Sequence, residues 1–139
     1  MPTLFSKIIS GELDGRFVWT DDHCVAFLTI APIRRGHVLV VPREEVDHWI
    51  DADPQLWAHL SEVARKIGVA LHKAFEPTRV GTMVAGFEIP HLHIHVLPID
   101  TMADMDFANA DASILAEQLD EDADRITTAL RAAGFESGV

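Results

Sequence analysis

Leu4, Phe5, Ile8 and Ile9 recur at helical spacing and stop at Gly11, which predicts a short amino-terminal helix. Arg16 to Thr20 and His23 to Thr29 are rich in β-formers and are separated by Asp21-Asp22, the pattern of an antiparallel hairpin. After a connecting loop from Ala31 to Gly36, His37-Val38-Leu39-Val40-Val41-Pro42 reads as a third strand closed by proline. Asp53-Pro54 supplies an N-cap and a first-turn proline. From there Leu56, Leu60, Val63, Ala64, Ile67, Ala70, Leu71 and Ala74 keep one apolar helical face over about five turns. Arg79 to Ala85 has strand character, and His91 to Leu97 is expected to form a strand bounded by Pro90 and Pro98. Leu115, Leu119, Ile126, Leu130 and Ala133 fit one or two further helices ending at Gly134.

Strands dominate the first half without regular strand–helix alternation. The expected fold class is therefore α+β with a mostly antiparallel sheet, one long helix and a helical carboxyl-terminal extension over 101–139. A chain of 139 residues with no repeat or linker is expected to form a single domain over 1–139.

Composition narrows the function classes. The net charge of −11 argues against nucleic acid and anionic membranes, which demand a broad basic face, yet leaves room for one small phosphate ligand. The acidic runs, Asp47 to Asp53 and Asp100 to Glu136, read as solvated surfaces. No stretch approaches the roughly 20 apolar residues of a membrane span. The first residues lack a basic region followed by an apolar run, so a cytoplasmic setting is expected. The one cysteine, Cys24, lies in an apolar run and reads as a small buried hydrophobe.

The candidate chemistry is His91-Leu92-His93-Ile94-His95. On a strand, alternation places the three imidazoles on one face and Leu92, Ile94 and Val96 on the other. A metal site is the sharpest rival to catalysis. Along a regular strand His91 and His95 lie about 13 Å apart at Cα, so three imidazoles cannot share one zinc without ligands from elsewhere, such as His37 or Glu88. Neutral imidazole is a nucleophile near pH 7, and neighbouring histidines can bind phosphate and protonate a leaving group.

Three blocks in order resemble the histidine-triad (HIT) family: Phe5-Ser6-Lys7-Ile8-Ile9-Ser10-Gly11-Glu12, then Ile30-Ala31-Pro32 with Gly36 to Pro42, then Gly86 with His91 to Val96. The motif-bearing part covers about 3–100. The resemblance implies a HIT-like fold with a five-stranded sheet and a homodimer whose two sheets join. It also implies a nucleotide hydrolase or transferase that cleaves at a nucleoside α-phosphate through a covalent nucleotidyl-histidine. Candidate substrates are nucleoside phosphoramidates, aminoacyl adenylates and dinucleoside polyphosphates, with no cofactor and no metal. By this match His93 is the nucleophile and His91 positions it through its backbone carbonyl. His95 contacts phosphate or leaving group, and His37 completes the cluster. Phe5, Ile8 and Phe27 would form an apolar pocket for the base.

Several positions depart from the family pattern. Phe87 and Glu88 stand where many members carry Gln and then Ser or Thr; Phe87 stays with the nucleotide contacts, and Glu88 becomes a general acid or a histidine partner. Thr29 replaces an acidic or amide residue that bonds ribose. Some bacterial members bind structural zinc through Cys-x-x-Cys and a histidine after the Val-Pro block; here Thr3, Ser6 and Glu45 take those positions. The alternative functions are a non-catalytic nucleotide-binding or sensor protein and a metal-binding protein using part of the triplet.

Overall fold

A computed structural model describes residues 2–139. The element order is α1 (Leu4–Ile9), β1 (Phe17–Thr20), β2 (Cys24–Leu28), β3 (Val38–Pro42), α2 (Pro54–Phe75), β4 (Arg79–Met83), β5 (Ile94–Ile99) and α3 (Ala116–Ala132). Local signals start the helices as expected. Thr3 accepts the Ser6 amide at the head of α1, and Asp53 accepts the Gln55 amide ahead of Pro54. Such caps contribute about 1 kcal/mol each. The carboxyl-terminal pattern resolves into the single helix α3, and Gly134 follows it at φ 82°.

The strands form one five-stranded antiparallel sheet in the order β1-β2-β3-β5-β4. Its fold class is α+β, as the strand-rich first half implies. Strand alternation gives the sheet two different faces. Cys24, Ala26, Leu28, Val38, Val40, Ile94 and Val96 join the main core with Leu60, Ile67 and Leu71 of α2 and Ile126 and Leu130 of α3. Val25, Phe27, Leu39 and Val41 face the other way and pack with Phe5 of α1. The carboxyl-terminal segment also guards the β1 edge, where the Thr20 amide donates to the Ser137 carbonyl at 2.7 Å.

Two expectations need correction. The strand expected over His91 to Leu97 begins only at Ile94 and runs through Pro98 to Ile99. Pro98 is tolerated because β3 pairs with β5 only as far as Val96, leaving that side of the strand as an edge at the proline. The acidic carboxyl-terminal run is not all solvated surface. Asp122 of α3 is fully buried, and Arg35 donates to both its carboxylate oxygens at 2.7 and 2.8 Å. This bidentate pair ties the loop before His37 to α3. In that loop Gly36 takes φ 91°, and a Cβ there would meet the Phe75 ring at 2.8 Å, so glycine is required on both counts.

Candidate active site

His91 and His93 lie on the segment that leads into β5, and His95 lies within β5. Leu39, whose Cα pairs with His95, sits on the adjoining strand β3 just after His37. The four imidazoles are buried, so each must find partners or open onto a cleft. Their partners fix the proton positions, because a carbonyl only accepts and a backbone amide only donates.

His91 Nε2 lies 2.8 Å from the Pro42 carbonyl and must donate to it. Its Nδ1 is then the acceptor for the Thr3 hydroxyl at 2.6 Å. His93 Nδ1 lies 2.8 Å from the His91 carbonyl and donates there, which leaves the Nε2 lone pair of His93 free. The Ile33 amide donates to His37 Nδ1 at 3.1 Å, so His37 carries its proton on Nε2 and donates to His95 Nδ1 at 2.9 Å. His95 therefore holds its proton on Nε2. Among the described residues no buried side-chain nitrogen or oxygen lacks a partner, so the unpartnered Nε2 atoms of His93 and His95 are accessible. One ring presents a lone pair and its neighbour a proton, with ring centroids 4.8 Å apart.

Burial favours the neutral form of His37, His91 and His95. It lowers His37 to about 4, with the nearby His93 adding to the effect. Burial likewise lowers His95 to about 3, helped by His37 and His93. His91 is also lowered by burial, although the Pro42 carbonyl and Glu45 partly oppose the shift.

Both Nε2 atoms belong to residues lining a cleft of about 300 Å³, a volume at the small end of ligand pockets. Phe5, Ile8, Phe27, Thr29 and Glu88 line it too, so most of the site residues expected from sequence converge here. The Phe5 ring meets Phe27 at 5.6 Å and His93 at 5.0 Å, edge to face. Phe87 does not join them. It is 96% exposed and lies with Asp47, His48 and Trp49 along a second depression, which reaches His93 from another side. Glu88 is exposed, and the histidine nitrogens that make bonds use other partners, so it orients none of the rings. The Thr29 hydroxyl accepts the Ala31 amide at 3.2 Å.

Sequence reasoning missed Phe107, whose ring packs on His95 at 5.1 Å from a single 3-10 turn, Phe107–Asn109. It also missed the role of the Ile33 amide in setting the His37 tautomer. Neither carries a pattern: an amide donor is invisible in sequence, and Phe107 stands in a stretch without periodicity.

Two other places compete for attention. A wider depression of about 710 Å³ between the end of α2 and α3 is lined by Glu117, Asp120, Glu121 and Asp124 against Lys73 and Arg125, so its net charge is negative and it suits phosphate poorly. Asp21, Cys24 and His59 also bring potential metal ligands together. There, however, Asp21 already accepts from the Trp19 indole, His59 Nε2 and the His23 and Cys24 amides at 2.7 to 2.9 Å. Those donors outweigh burial and hold its carboxyl well below the usual range, while burial pushes the Cys24 thiol far above it. Asp21 thereby fastens the β1–β2 turn to α2.

The comparisons with known proteins agree with this geometry. The HIT domain family matches residues 10–102. The chain is 31% identical over 100 residues to the protein "hit" of Bacillus subtilis, covering 68% of this chain and 69% of that one. A hypothetical histidine triad nucleotide-binding protein of Sulfolobus tokodaii superimposes with TM-score 0.82 at 25% identity, covering 92% and 91% of the two chains. A zinc-bound histidine triad protein of Mycobacterium smegmatis shares the fold, with TM-score 0.81 at 21% identity over 94% of each chain. With that family match, that relative and the triad geometry in agreement, the chain belongs to the histidine-triad (HIT) family.

Proposed function

We propose that this protein cleaves nucleotides at the α-phosphate through a nucleotidyl-His93 intermediate. The observation that carries the reading is the free Nε2 of His93, a residue that lines a cleft walled by Phe5 and Phe27 together with His95 and its Nε2–H. His93 Nε2 attacks phosphorus, an N–P bond forms, and the bond from phosphorus to the leaving group breaks. The Nε2–H of His95 stabilises that group by a hydrogen bond; the group leaves with a proton taken from solvent, and the water that next attacks phosphorus gives one back to solvent. Hydrolysis of the N–P bond returns His93 and releases the nucleoside monophosphate. As His93 shares its electron pair, the His91 carbonyl stabilises the positive charge developing on the ring. Phe5, Ile8 and Phe27 hold the base, and the Thr29 hydroxyl bonds the ribose.

Charge selects among the candidate substrates. Glu88 and Asp14 line the cleft, Arg16 there is paired with Asp120 at 2.7 Å, and the net charge is −11. A dinucleoside polyphosphate adds several negative charges to that field. A phosphoramidate or aminoacyl adenylate brings one charged phosphate and an amine-bearing group, with which the Glu88 carboxylate pairs as counter-ion. Phe87 contacts the leaving group from the side of His93 opposite the base.

The test is incubation with an adenosine phosphoramidate, a denaturing quench at alkaline pH, and mass spectrometry. The expected result is free amine, AMP, and protein carrying one adenylyl group on His93. Binding of AMP without turnover or modification would instead identify a nucleotide-binding sensor. A homodimer joined through the free β4 edge belongs to the same reading; light scattering at twice the 15.4 kDa chain mass is its expected signature.

A further inference from the structure

One polar cluster lies behind the triad and does not reach the cleft. The Thr3 hydroxyl donates to His91 Nδ1 at 2.6 Å and accepts the Ser6 amide at 3.1 Å. Ser6 Oγ donates to the Glu45 carboxylate, which also accepts the Thr3 amide at 3.2 Å. Three segments far apart in sequence are thereby joined: the start of α1, the loop after β3, and the approach to β5.

These are the positions at which some bacterial HIT members hold zinc, and the donors present do not fit that ion. Structural zinc sites use thiolate and imidazole ligands. Here two positions offer neutral alcohols and one an exposed carboxylate, while both ring nitrogens of His91 are already engaged.

We propose that Thr3, braced by Ser6 and Glu45, is a positioning residue: its hydroxyl locks the His91 ring with the proton on Nε2 and so holds the His91 carbonyl against His93 Nδ1. The lock follows from donor counting. His91 must donate through Nε2 to Pro42, so Nδ1 needs a donor, and Thr3 is the hydroxyl within reach. The backbone of His91, gripped at its ring, then presents its carbonyl at 2.8 Å to the ring that carries the free lone pair. The clasp is built from the chain's own side chains alone.

The inference rests on His93 as nucleophile, so its test carries one readout that does not need turnover. Thr3→Ser keeps both the helix cap and the donor, Thr3→Asp keeps the cap without the donor, and Thr3→Val keeps neither. Nitrogen NMR of the intact protein should show His91 as a single Nε2–H tautomer in the wild type and Thr3→Ser. Thr3→Val should lose that state, and Thr3→Asp should convert His91 to an imidazolium. In the steady state, kcat should fall roughly tenfold in the last two variants at unchanged KM, and recover in Thr3→Ser. Chelator treatment should change neither readout. The clasp is overturned if Thr3→Asp matches Thr3→Ser, which would leave Thr3 as a helix cap alone, or if a chelator abolishes the His91 signature. Absence of turnover in the wild type would remove the proposed function, and the NMR pattern would still decide the clasp.

Discussion

The two faces of the sheet are built on different rules. Towards α2 and α3, Leu60, Ile67, Leu71, Ile94, Val96, Ile126 and Leu130 meet with almost no accessible surface, and contact depends on volume alone. Towards α1, five buried apolar residues (Phe5, Val25, Phe27, Leu39 and Val41) share the face with imidazoles, and each imidazole is held by a directed hydrogen bond. The first face can be damaged in proportion to the atoms removed. The second can lose its chemistry while keeping nearly all of its packing. Stability and reactivity are thus separated by the thickness of one sheet, and substitutions on opposite sides should separate them in experiment.

The sharpest separation comes from His93→Asn. The asparagine amide still reaches the His91 carbonyl as a donor, but no nucleophilic nitrogen remains. We expect kcat to fall at least about 10³-fold, equivalent to about 4 kcal/mol of transition-state stabilisation, with the thermal midpoint little changed. A variant retaining most of its turnover would move the nucleophile elsewhere. The converse substitution is Ile67→Ala, fully buried on the far face. It should cost about 2–5 kcal/mol in urea unfolding and leave kcat per folded molecule unchanged. If both quantities fall together, the two faces are coupled and the separation fails.

Acid breaks the comparison from the other direction, because protons act on the site face. His37 is lowered to about 4 and His95 to about 3, both below the ordinary histidine value of about 6.5. Between pH 6.5 and 4 the unfolded chain takes up protons that the folded chain refuses, so stability falls with falling pH and is level above 7 with respect to these groups. Each ring contributes a slope of up to about 1.4 kcal/mol per pH unit within that window. His95→Asn should flatten part of the decline in urea midpoints from pH 7 to pH 4; an unaltered slope would assign the loss to carboxylates.

The contrast between faces also explains what was legible in the sequence. Apolar periodicity wrote out α2 from Pro54 to Phe75 and the inward residues of β2 and β3, because packing by volume leaves a repeating pattern. The triad was legible as alternation, even though His91 and His93 precede the strand rather than lie in it. What could not be read was direction. Which nitrogen of His37 carries the proton depends on the Ile33 amide, and which nitrogen of His91 does depends on Pro42, neither of which announces itself by residue type. Asp122 misled for a similar reason: an acidic run looks solvated until one member finds Arg35 across the fold.

Phe107 offers the smallest and finest test, since it belongs to the site but comes from the segment without a motif. Its ring stands edge-on to His95 at 5.1 Å, from a turn in which Asp106 accepts the Ala108 amide at 2.9 Å. Phe107→Ala removes one wall of the His95 environment while leaving its bond to His37 in place. Readmitted water favours the charged ring, so the His95 pKa should climb from about 3 towards the ordinary value. The half-exposed ring contributes little to stability, and we expect a loss of about 1 kcal/mol or less, with a few-fold fall in kcat. The informative quantity is the titration of the His95 ring followed by NMR, which should shift to higher pH in the variant. If that titration stays where it is while kcat falls, Phe107 holds the substrate rather than His95, and the carboxyl-terminal turn becomes part of the binding cleft.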